Sequence, residues 1–249
     1  MPSIPILIVL ALAALVTSFI SGILGMAGGM ILMGVLLALM PLPVAMMLHG
    51  ITQFAANGWR AFMWRDKVDW RIFRGYLVGT LIVLAIFAVV RLVVSKPVAF
   101  IVMGLTPFVS LALPEKLHLN VERPWHPFVC GTICMALSLM AGVAGPILDV
   151  FFVRSKMGRH AVVATKAMTQ SLTHVLKITY FGAFLAVEGG NVPPALAAVM
   201  VLLAFTGTSV SRHVLERMND RSFRQWTRWT VMSLGAFYLA SGTWSLLRG

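Results

Sequence analysis

Two sets of polar side chains recur at helical spacing within otherwise apolar sequence: His49, Gln53 and Asn57, and Lys166, Gln170 and His174, the second set continued by Lys177. Spacings of i, i+4 and i+8 place each set close to one face of a helix. Imidazole, amide and ammonium groups on such a face supply hydrogen-bond donors and positive charge, and imidazole changes its charge near neutral pH. This chemistry suits binding of an anion. Through His49, His174, Lys177 and the carboxylate Asp149 it also suits movement of a proton. The plainer alternative is that these groups only hydrogen-bond neighbouring helices, and Lys177 and Arg60 could instead reach along their stems to a membrane interface. Asp149 could neutralise Lys166, relay a proton, or lie beside Arg154.

The elements that carry these residues are membrane helices. Of the 249 residues 59% are hydrophobic and only 11% charged, with a mean hydropathy of +0.90, whereas a soluble domain is about 25% charged. Several apolar runs approach the roughly 20 residues that cross a bilayer as a helix, and the short alternating segments of an outer-membrane barrel are absent. The expected fold class is an all-α polytopic membrane protein. The net charge of +12 lies in short segments between apolar runs, which is a topology signal and not a nucleic-acid footprint. Cys130 and Cys134, four residues apart without a ligand partner pair, are expected to pack as small hydrophobes. The apolar N-terminal segment lacks a basic flank and a cleavage site, and is read as part of the membrane fold.

Each half contains one glycine-rich break in an apolar stretch. Ile4 to Met40 carries no charge, and as one straight helix it would extend roughly 55 Å, too long for a single crossing. The place for a bend is Gly25 to Gly29, and the second copy is Gly142 to Pro146. Irregular backbone at membrane depth survives only where it is buried in protein or lines a wet cavity. Helices starting near Gly29 and at Pro146 would aim backbone N–H groups and positive dipole ends at the breaks, a geometry that suits an anion. The competing reading is that the glycines only permit close helix packing. Gly25, Gly28, Gly29, Gly142, Gly145 and Pro146 therefore join the two polar stripes as candidate substrate-binding residues.

The halves are repeats. A shift of 117 positions without a gap carries Ser21, Gly25, Ala27 and Gly28 onto Ser138, Gly142, Ala144 and Gly145, and Thr52-Gln53 onto Thr169-Gln170. It also aligns His49, Asn57 and Arg60 with Lys166, His174 and Lys177. Agreement concentrated at polar and glycine positions argues for duplication. The expected division is a first repeat over residues 1–113, a proline-rich linker over 114–127, and a second repeat over 128–249. If each broken stretch is a re-entrant hairpin, the basic segments around Arg65, Lys116, Lys156 and Arg217 share one face, and the Glu188 turn and both termini share the other. Only Arg91, Lys96 and Arg248 then lie against the charge rule. The expectation is two halves of inverted topology, each a hairpin plus three spans, with the basic loops cytoplasmic; a single kinked crossing for each broken stretch is the alternative.

The break Gly25-x-x-Gly28-Gly29 with its counterpart in the second half, the Thr-Gln pair in the following helix, and Asp69-Trp70 after the first basic loop resemble the TauE/SafE-type sulfite exporter family over essentially the whole chain. The resemblance implies a bacterial-type inner-membrane permease for small sulfur-containing or organic anions such as sulfite or sulfonates, driven by the proton gradient. Met30 and Ile31 follow Gly28-Gly29 with no proline until Pro41, so the first break departs from the family's glycine-plus-proline pattern. The expected activity is alternating-access transport of a small anion; an anion channel and an intramembrane hydrolase are the alternatives. No Gly-x-Ser-x-Gly or His-Glu-x-x-His motif supports the hydrolase. No cofactor, metal or nucleic acid is expected as a partner; the bilayer and the anion are, and a homodimer is compatible with the sequence.

Overall fold

A computed structural model of the chain describes residues 3–24, 26–114, 117, 119–185, 192–215 and 220–248. Gly25, Lys116, Glu188 and Arg217, all named above, lie outside the described residues. Within them the chain is helical and contains no strand. The helices are α1 (Ile4–Leu24), α2 (Ala27–Leu39), α3 (Leu42–Met63), α4 (Trp70–Val90), α5 (Lys96–Ala112), α6 (His126–Ala141), α7 (Gly145–Phe152), α8 (Arg159–Thr179), α9 (Pro194–Leu215) and α10 (Asp220–Arg248). Three of them, over residues 4–23, 70–90 and 194–211, are long and apolar enough to cross a membrane. Large apolar side chains also point outward. Ile8, Leu12 and Val16 form an exposed stripe on α1, and Val89 on α4 is 85% exposed, while His49, Gln53, Asn57 and Lys177 are buried. That polarity is the reverse of a soluble protein's and matches a lipid-facing exterior.

Local chemistry sets the helix ends. Prolines stand in the first turns of α3, α5, α6 and α7, where their missing N–H removes no helical bond. The Asp69 carboxylate caps α4 by accepting from Arg71 N at 2.9 Å and Ile72 N at 3.1 Å, as capping residues do. This cap starts the helix at Trp70, so Arg71 and Arg74 lie on α4. At the other end of the chain, residues 220–228 are likewise helical. Gly142 ends α6 at φ +79°, a left-handed conformation open to glycine at little cost.

At both glycine breaks the helix that follows packs close to residues that precede it. Gly28, on the first turn of α2, sits so close to α1 that a side-chain carbon there would overlap the Thr17 carbonyl. In the second half, Val121 N donates to Phe151 O at 3.0 Å, Asn120 Nδ2 to Arg154 O at 3.1 Å, and Lys156 N to Glu122 Oε2 at 2.7 Å. The end of α7 thus returns to the residues that lead into α6. Packing between elements follows the repeat: α1 lies along α9 and α4 along α6, while α3 pairs with α8 and α5 with α10. The glycine contacts give directions, with Gly75 beside Pro127 and Gly131 beside Tyr76 (α4 parallel to α6), and Gly22 beside Ser211 and Gly207 beside Leu15 (α1 parallel to α9).

The loops gather at two ends of the bundle. Trp64 stacks 4.4 Å from His160, and Asp69 N donates to Thr165 Oγ1 at 2.9 Å, which joins the α3–α4 loop to the start of α8 beside the linker. At the far end of α8, Tyr180 donates to Leu92 O at 2.8 Å and so meets the α4–α5 loop.

Candidate functional site

The two hairpin breaks meet at the centre of the bundle, where α3 and α8 cross them. A side-chain carbon on Gly145 would overlap the Met26 side chain, and one on Gly142 would reach Met33. From α3, His49 Nε2 lies 3.0 Å from the Gly29 carbonyl. From α8, Lys177 Nζ lies 2.8 Å from His49 Nδ1 and donates to the Gly142 carbonyl at 2.9 Å. A continuous chain of hydrogen bonds therefore runs from the first break to the second.

Chemistry assigns the donors along this chain. A carbonyl only accepts, so His49 Nε2 carries a hydrogen toward Gly29. With one hydrogen on the neutral ring, Nδ1 accepts from Lys177. Lys177 is fully buried and makes no salt bridge among the described residues. Its visible partners are a neutral ring and a carbonyl at the C-terminal end of α6, where the helix dipole is negative. Arg60, the repeat counterpart of Lys177, acts similarly by donating to the Ser21 carbonyl in the last turn of α1 at 3.2 Å. Each half thus places a cation from its third helix against the end of its first.

His174 stands beside the bridge, its ring 5.5 Å from that of His49, and its Nδ1 has no hydrogen-bond partner. It borders a narrow cavity with Ser138, Gln170, Tyr76, Thr173 and Gly145. Tyr76 and Thr173 share a 2.7 Å hydrogen bond on its wall. The Ser138 hydroxyl has no partner, and α7 begins at the cavity with Gly145. Neutral hydrogen-bonding groups, the Lys177 amine nearby without a carboxylate partner among the described residues, and a helix start together form a surface that suits an anion.

The structure brings His49, Gly29, Gly142, Gly145, Gln170, His174 and Lys177 to this centre. Gln53 joins it from α3: its side-chain oxygen faces Gly29 and its backbone carbonyl accepts from Asn57 Nδ2 at 3.0 Å. Pro146 is buried in the first turn of α7. Gly28 is occupied by packing against α1 and offers no surface to the cavity. Lys166 and Asp149 form an ion pair with each other. Their side chains are 25% and 36% exposed, so this pair is wetter than the His49–Lys177 bridge. Lys177 does not extend to an interface. Cys130 and Cys134 are free and buried, with sulfurs 3.9 Å apart, and Cys134 reaches the cavity wall.

Sequence reasoning left Ser138, Tyr76 and Thr173 out of the site. Ser138 carried a signal, since the 117-residue shift pairs it with Ser21. Tyr76 carried none, because a lone tyrosine in an apolar span reads as packing.

No curated protein and no solved structure matches the chain. A family model does: the one described as sulfite exporter TauE/SafE matches residues 10–238. With that match covering nearly the full length of a helical chain, the protein belongs to the sulfite exporter TauE/SafE family of membrane transporters.

Proposed function

We propose that the protein is a proton-coupled secondary transporter that moves a small anion by alternating access, with sulfite, a sulfonate or a related organosulfur or carboxylate anion as substrate. The observation that carries this reading is Lys177, a buried ammonium that links both hairpin breaks and lacks a carboxylate partner among the described residues. A buried charge of this kind is costly. An anion entering beside it would supply the missing countercharge, and its departure would restore the present contacts. His49 and His174 flank the ammonium and provide sites for the coupled proton, with Asp149 beside Lys166 as a further candidate.

The two halves have inverted topology in this reading, with hairpins entering from opposite membrane faces. Support comes from the parallel packing of α1 on α9 and α4 on α6, and from the return of α7 to the start of α6. The basic segments near Arg65, Lys156 and the linker cluster at one end of the bundle. The positive-inside rule makes that end cytoplasmic in a bacterial-type inner membrane.

The test is uptake of radiolabelled sulfite into proteoliposomes under an imposed pH gradient. Saturable uptake that a protonophore slows is expected; non-saturable flux would indicate a channel. Rates equal to those of empty liposomes at every pH, for sulfite and for taurine, sulfoacetate and thiosulfate alike, would contradict the reading.

A further inference from the structure

We propose that the protein carries two oxyanion subsites related by the repeat: one formed in this structure around Ser138, Gln170 and His174, and one closed around Ser21, Gln53 and Asn57 that opens when the first closes. This deepens the transport reading above and rests on it. The 117-residue register equates these residues pairwise. In the second half they border the cavity, and Ser138 Oγ and His174 Nδ1 lack partners.

In the first half the same positions are buried as deeply as Ser138, which is 1% exposed, and no space remains beside the equivalent glycine, Gly28. Ser21 is 3% exposed, and Gln53 and Asn57 are each 4% exposed, yet Ser21 Oγ and Gln53 Nε2 have no partner either. Buried polar groups are paired in the great majority of cases, so the same serine hydroxyl orphaned in both halves calls for a common cause. A hydroxyl hydrogen and an amide hydrogen are the neutral donors that an oxyanion with several acceptor oxygens would satisfy.

The difference between the halves is the position of the equivalent glycines. Gly28 is pressed against Thr17 and the Ser21 hydroxyl, leaving no space beside them, whereas Gly145 borders the cavity and meets the Met26 side chain. Separation of α2 from α1 would open the first pocket. Each pocket has its cation nearby, Arg60 on the Ser21 carbonyl and Lys177 on the Gly142 carbonyl.

Single cysteines at the two serines test the proposal. In a Cys130→Ala/Cys134→Ala background, Ser138→Cys and Ser21→Cys are treated with the membrane-impermeant anion 2-sulfonatoethyl methanethiosulfonate in right-side-out and inside-out vesicles. Modification of Ser138→Cys from one vesicle orientation and of Ser21→Cys from the other is expected. Modification of both from the same orientation, or of Ser21→Cys from neither, would overturn the proposal. Ser21→Ala adds a second readout. Because the hydroxyl has no partner in this state, the variant should keep the wild-type unfolding temperature while sulfite exchange falls at least about tenfold; an unchanged exchange rate would count against the subsite. The labelling pattern does not depend on which anion is carried. Absence of sulfite exchange by the wild type would thus remove the substrate assignment, and the labelling would still decide between one subsite and two.

Discussion

His49 holds its position through both ring nitrogens, one toward Gly29 and the other toward Lys177. Truncation in His49→Ala would leave a buried carbonyl and a buried ammonium each short of a partner. An orphaned buried polar group costs about 1–3 kcal/mol, so the variant should unfold several degrees below wild type in a detergent thermal-shift measurement. Asp149→Asn should shift the unfolding temperature far less, because a partly exposed ion pair contributes about 0–1 kcal/mol. Much of this centre was legible from residue types: a histidine, a lysine and two glutamines at helical spacing pick out the helix faces that meet. What spacing could not supply was the partner of each group. Lys166 and Lys177 look alike in the sequence. Only packing distinguishes the lysine that pairs with Asp149 from the one sealed against Gly142.

At the level of elements, the hairpins depend on close backbone approach. In Gly28→Ala the new methyl group would overlap Thr17 O and push α2 from α1. Overpacking of this kind costs about 1–3 kcal/mol, and a fall in the unfolding temperature is expected. Gly158→Ala is the control. Nothing lies near that position and its φ of −62° admits alanine, so this change should cost no more than about 1 kcal/mol, the amount by which an N-cap prefers glycine to alanine, without any overlap. The sequence pointed to a break at glycine in each stretch, in the first because 37 uncharged residues are too long for one straight crossing. It also offered anion contact and tight packing as rival roles for the glycines. The structure divides those roles between the copies: Gly28 packs, whereas Gly145 borders the cavity. The start of α4 was not legible in the sequence, because a cap such as Asp69 is decided by local geometry.

Over the whole molecule, the element pairs have the pattern expected of a duplicated chain. Exchange of the first five helices with the last five converts the α1–α9 contact into the α6–α4 contact and maps the α3–α8 and α5–α10 pairs onto themselves. The 117-residue register pointed to a duplication; the pairing of elements across halves had no signature in a single sequence. If the basic end faces the cytoplasm, then in intact cells expressing single-cysteine variants an impermeant thiol reagent should label Val93→Cys, in the α4–α5 loop, and reach Trp125→Cys, in the linker, only after permeabilisation. The opposite pattern would reverse the orientation. The central claim, that the bridge joining the two breaks is the transport site, is tested most directly by sulfite counterflow in proteoliposomes containing wild type or Lys177→Met. Methionine approximates the lysine stem and removes the charge. The account predicts a variant that remains folded and loses at least about tenfold in initial rate, equivalent to 1.4 kcal/mol or more at the transition state. A folded Lys177→Met protein that exchanges sulfite at the wild-type rate would contradict it.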